Sequence, residues 1–136
     1  MGFFSRKPNY PELDSNNPAA EQIQEVEEPL KDLIQQVSDP IEVVTSKDHA
    51  YVFIGKPPKK FGVALFENGK VQGFVTMAKE KGLEPAVALK VNEKFRKAYE
   101  QNMAAERYKT SIAGKEIVVT PCTKLAEEVA QIVSSI

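Results

Sequence analysis

The dipeptide Asn68-Gly69 joins two strongly apolar runs, and it constrains the fold more than any other feature of the chain. Asn-Gly supplies the positive φ angles of a two-residue type I′ turn. Phe61–Glu67 and Lys70–Val75 are therefore expected to pair as a hairpin, with Phe66 opposite Val71, Leu65 opposite Gln72, Ala64 opposite Gly73 and Val63 opposite Phe74. Successive side chains on a strand point to opposite faces. In this register Phe66 and Val71 fall on one face and Val63, Leu65 and Phe74 on the other, so both faces are apolar. A strand pair of this kind must be covered on both sides, by helices of the same chain or by a second subunit.

The rest of the chain supplies candidates for that cover. Ile23, Val26, Leu30, Leu33 and Val37 recur at steps of three and four residues within 18–38, the seam of an amphipathic helical arm. Pro29 interrupts the seam and predicts a second helix starting near Glu28, with the proline in its first turn. Before the arm, residues 1–17 are rich in proline and asparagine and read as a flexible tail. Its start, Met1 to Lys7, sets an apolar cluster beside Arg6 and Lys7, but one turn buries too little for stable membrane anchoring, and Arg6 stands where a myristoylation signal needs Ser or Thr.

Ile41–Thr45 and Ala50–Ile54 are β-rich runs joined by a polar turn, and they lead through Lys56-Pro57-Pro58-Lys59-Lys60 into the hairpin. Residues 76–82 form a short helical or turn segment. Pro85 then opens a helix with Val87, Val91, Phe95 and Ala98 or Tyr99 on its apolar stripe. A second hairpin, 107–112 with 115–120 around Ala113-Gly114, has Tyr108, Thr110, Ile112, Ile117 and Val119 on one face. In the last helix Leu125, Val129, Ile132 and Ile136 share a stripe, with Thr120 expected as N-cap, Pro121 as first helical residue and Cys122 as second.

Together these elements predict one α+β domain over 18–136, built on an antiparallel sheet of about five strands with helices packed on it. In element order the chain is similar to the roadblock and longin group of profilin-like regulatory domains. That resemblance implies helices on both sheet faces and a tendency to dimerise.

Composition narrows the functional classes. Of the 136 residues, 42% are hydrophobic and 27% charged, as in an ordinary globular domain, and a single cysteine cannot form an internal disulfide. No apolar run reaches the length of a membrane span or a signal-peptide core, so the expected compartment is the cytoplasm. The net charge of −1 conceals an acidic arm and a mildly basic body: residues 11–48 carry ten acidic and two basic side chains, and residues 49–136 nine and fourteen.

Cys122 is the one candidate catalytic residue. A thiol at a helix start is favoured as thiolate by free backbone N–H groups and the helix dipole, which would suit a thiol-dependent enzyme or redox sensor. A second cysteine that could resolve it is lacking, and free cysteine is often simply buried. The lone His49 cannot build a zinc site, and no stretch has the spacing of a phosphate-binding loop, so neither metal nor cofactor is expected. Lys56, Lys59 and Lys60 on the proline-rich loop, with Lys90, Lys94, Arg96 and Lys97 on the long helix, would track phosphates if they converged. Against a nucleic-acid partner stands a sequence pI of 5.9, well below the value of about 9 typical of such domains. The sequence therefore favours a small, non-enzymatic interaction or regulatory module acting through its surface, on a protein partner or a second copy of itself.

Overall fold

The arm begins at Asn17, whose Oδ1 accepts a hydrogen bond from the Ala19 N–H at 2.9 Å while Pro18 takes the first helical position. The computed structural model describes residues 10–47, 50–55, 61–67 and 69–136. Helix α1 (Pro18–Glu25) breaks at Val26, and α2 (Glu27–Gln36) restarts with Pro29 in its first turn, where the missing N–H breaks no helical bond.

Strands β1 (Ile41–Thr45), β2 (Ala50–Gly55), β3 (Phe61–Glu67) and β4 (Lys70–Gly73) form an antiparallel meander. The hairpin register is the expected one for Phe66 with Val71, Leu65 with Gln72 and Ala64 with Gly73. The second strand stops there, however: Phe74 and Val75 open helix α3 (Phe74–Glu80) instead of extending β4. Helix α4 (Pro85–Gln101) then crosses to the other side, where β5 (Tyr108–Ile112) and β6 (Lys115–Pro121) precede α5 (Thr123–Ser134).

The sheet has six strands in the order β4-β3-β2-β1-β6-β5, and β6 runs parallel to β1. This corrects the expected antiparallel sheet of about five strands to a mixed six-stranded one, within an α+β architecture. The reason is the crossover. Helices α3 and α4 carry the chain across a whole sheet face, so the second hairpin docks at the far edge and places β6 alongside β1. Turn residues set the pairing inside each hairpin but not the edge at which the hairpin lands.

Two cores result. On one face Tyr51, Phe53, Val63 and Leu65 pack with Phe74, Met77, Phe95, Leu125 and Val129 from α3, α4 and α5. On the other, Ile23, Leu30, Leu33 and Ile34 of α1 and α2 cover Ile41, Val43, Val52, Ala64, Ile117 and Val119. Both faces of the first hairpin are thus covered by helices of its own chain. The stripe of α4 starts one turn later than expected, because Val91, Phe95, Ala98 and Tyr99 are buried while Val87 is 41% exposed.

Part of the outer edge of β5 is covered too. The Lys109 N–H donates to Pro11 O, and the Leu13 N–H to Lys109 O, both at 2.9 Å, adding a short parallel bridge. Among the described residues no helix is long and apolar enough to cross a membrane.

Candidate functional site: an apolar cleft beside a closed polar cluster

Two places in the fold collect functional-looking residues. The first is a buried polar cluster around Glu42 on β1. Tyr99 Oη donates to Glu42 Oε1 at 2.9 Å, while Arg107 Nε at 3.0 Å and Thr120 Oγ1 at 2.6 Å donate to Oε2. Arg107 also donates from Nη1 to the carbonyls of Met103 and Ala105 at 2.9 and 3.1 Å, just beyond the end of α4. Its guanidinium lies 5.5 Å from the centroid of the Tyr99 ring. Burial is the largest single influence on Arg107 and works against its charge, but the Glu42 carboxylate, the Tyr99 hydroxyl and the hydrogen bond to Glu42 together outweigh it and raise its pKa. Burial, followed by the Glu42 charge, pushes the Tyr99 hydroxyl well above the ordinary tyrosine range. Both carboxylate oxygens are engaged, and the ion pair is withdrawn from solvent. Chemically this is a tie between α4, β1, β5 and β6, across the parallel junction of the sheet.

Beside this tie lies Cys122. It is the extended N-cap of α5 and not its second helical residue, because β6 continues through Pro121. The thiol is half-buried against the first core, and Sγ donates to Asn102 Oδ1 at 3.8 Å. His49 lies outside the described residues, among which no group of three potential ligands could hold a metal ion.

The basic residues divide. Lys90, Lys94 and Lys97 are exposed along one stripe of α4, while Arg96 sits about a third of a turn away and pairs with Glu93 at 2.8 Å. Lys94 and Lys97 flank a shallow groove between α4 and α5 that Glu128 also lines. Lys56, Lys59 and Lys60 lie outside the described residues.

The second place is a cleft of about 810 Å³ at the end of the sheet where β1 and β3 begin and β2 and β4 end. Its walls include Ile54, Phe61, Val63, Phe74, Leu83 and Ala88. Phe61 is held by ring contacts, with centroids 5.4 Å from Phe53 and 5.6 Å from Tyr99. Leu83 is turned in by a Schellman motif closing α3. There the Leu83 N–H donates to Ala78 O at 2.9 Å and the Gly82 N–H to Lys79 O at 3.1 Å, with Gly82 at φ +74°. Val75 and Leu89 also line the cleft, yet they remain 65% and 69% exposed. Among the described residues the charged side chains in its lining are Asp39, just before β1, and Lys79, on α3 beyond β4.

None of the residues singled out as chemical candidates in the sequence lines this cleft within the described part of the chain. One signal was available. Leu89 stands off the apolar stripe of its own helix, where a large aliphatic side chain has no core to fill.

Comparison with known protein families, curated proteins and solved structures finds no match.

Proposed function

We propose that this chain is a small, non-enzymatic interaction module of the cytosol that works by seating a protein surface in the cleft between α3, α4 and the end of the sheet. One observation carries the reading: the apolar surface does not stop inside the cleft but continues onto Val75 and Leu89, which are mostly exposed on its rim. A small molecule inside the cleft would leave that rim in water, whereas a protein surface would cover it. The volume is ample for the apolar side chains that anchor interfaces. A helical layer on each side of the sheet accords with the regulatory domains that the element order resembles. The alternatives, a thiol centre at Cys122 or phosphate tracking by Lys90, Lys94 and Lys97, each draw on a single feature.

Site-specific photo-crosslinking in the cells that make the protein tests this. A photoreactive side chain at position 89 is expected to give a discrete protein adduct, and one at the exposed Lys124 near the start of α5 none. Equal labelling at both positions, or no adduct at position 89, would overturn the reading.

A further inference from the structure

We infer that the partner enters the cleft as an extended segment that adds a strand to the sheet, taking the place that β4 vacates beside the first half of β3. The inference rests on the interaction reading above and names the form of what binds. It starts from a mismatch in length. β3 runs from Phe61 to Glu67, but β4 pairs only with Ala64 to Glu67, because the chain turns into α3 at Phe74. Phe61, Gly62 and Val63 therefore pair with β2 on one side and, among the described residues, with no strand on the other. All three line the cleft.

The backbone at the vacated place is directed to pair. Glu67 and Lys70 flank the two-residue turn and so form a hydrogen-bonded pair, and from there every second residue of β3, through Leu65 and Val63 to Phe61, turns its backbone groups to the β4 side. The opposite side of β3 agrees. The Gly55 N–H donates to Pro40 O at 2.8 Å, away from β3, so its partner Phe61 directs its own N–H and C=O away from β2. Among the described residues the contact made there is from Asn92 Nδ2 to Phe61 O, at a long 3.5 Å, which leaves the Phe61 N–H for an incoming carbonyl.

The shape of the cleft matches. Neighbouring side chains of a strand point to opposite faces, and the cleft opens on both faces of the sheet at this one place. Phe61, Phe74, Leu83 and Ala88 wall it on the face of α3 and α4, and Val37 and Ile54 on the face of α2. Gly62 keeps the second recess open, since among the described residues nothing lies within 4 Å of where its Cβ would stand. A strand continuing the line of β4 puts one side chain into each recess in turn while its backbone meets Phe61. A helix bonds its backbone to itself and presents its apolar side chains on one face, so it uses neither the divided recess nor the free N–H. The sheet already accepts an extended segment at its other edge, where residues 11–13 bridge to Lys109 on β5.

Selection of short linear peptides, displayed on phage, against the purified full chain tests this. The selected peptides should carry apolar residues at every second position. Synthetic copies of them, once bound, should slow exchange of the Phe61 amide proton. Methylating their backbone nitrogens one at a time should weaken binding at alternate positions only, because every second N–H of an added strand faces away from β3. Gly62→Val should weaken binding by at least about tenfold, since it fills the recess on the face of α2. Its side chain enters open space, so the urea midpoint should hold.

Selected peptides with apolar residues three and four apart would overturn the inference. So would a methylation series without alternation, a Phe61 amide that binding does not protect, undiminished binding to a folded Gly62→Val, or a selection that yields no binder. In each of these cases the interaction reading stands if position 89 still gives its discrete adduct in cells. If that adduct is missing too, both fall.

Discussion

The Glu42 cluster and the apolar cleft lie close together, separated by little more than the Tyr99 and Phe61 rings, and they are built on opposite terms. In the cluster every donor and acceptor of the buried ion pair has a partner, and Arg107 and Glu42 are only 6% and 9% exposed. In the cleft the aliphatic rim is left in water at Val75 and Leu89. A polar group costs most when buried without a partner, so a satisfied cluster reads as finished structure. An apolar side chain costs most when left in water, so an exposed rim around a recess reads as unfinished surface awaiting a mate. Charge and hydrogen bonding draw the eye to the first region, while the capacity for contact lies in the second.

The contrast breaks most readily at Glu42. Glu42→Ala strips the partner from Arg107, Tyr99 and Thr120 together, and removing one side of a buried pair costs roughly 3–5 kcal/mol. Against a typical total stability of about 5–15 kcal/mol this should lower the urea midpoint sharply. A loss below about 1 kcal/mol would show that the cluster is not a structural tie. Leu30→Ala should cost roughly 2–5 kcal/mol, since Leu30 is fully buried beneath the sheet and leaves a cavity. A smaller loss in the same titration would mean that the arm is loosely held.

The alkaline limb of stability sharpens the picture. The Tyr99 hydroxyl has its pKa raised in the fold, so the native state keeps a proton that the unfolded chain releases near pH 10. The contribution of Tyr99 is fully present below about pH 10 and declines as pH rises beyond it. Tyr99→Phe should remove that part of the decline in pH-dependent unfolding, and an unchanged alkaline profile would contradict the buried hydrogen bond. The smallest effect concerns Thr45, which is 1% exposed and whose Oγ1 has no hydrogen-bond partner among the described residues. Thr45→Val should be neutral or stabilising by up to about 1 kcal/mol, because it replaces an unsatisfied hydroxyl with a methyl of similar shape. A clear loss would mean that the hydroxyl has a partner.

Much of the framework was legible because its causes are local. Asn68-Gly69 dictated the hairpin register, Pro29 the break in the arm, and the spacing of Ile23, Leu30 and Leu33 their burial together. The polar cluster was not legible, because Glu42 meets Tyr99, Arg107 and Thr120 at separations of 57, 65 and 78 residues. No periodicity within a strand or helix reports such a meeting, and a glutamate among alternating residues reads as solvent-facing. The mixed sheet was hidden for the same reason, since the landing edge of the second hairpin is decided by the path of α4 over the first core. Pro121 misled in a more specific way. A proline suits a first helical turn, but it can equally end a strand, and here it pairs with Thr45 in β1 and shifts Cys122 to the N-cap. The cleft escaped because its rim is marked only by apolar side chains where none is needed for folding.

That last point is the central claim, and one measurement tests it most directly: the urea midpoint of a Val75→Glu, Leu89→Lys double variant beside the unmodified chain, both at a dilution where mass measurements show single copies. If the rim serves contact and not folding, the unfolding free energies from the two titrations should agree within about 0.5 kcal/mol, as for surface substitutions away from structural features. A loss of about 2 kcal/mol or more would place these side chains in the folding core and contradict the account.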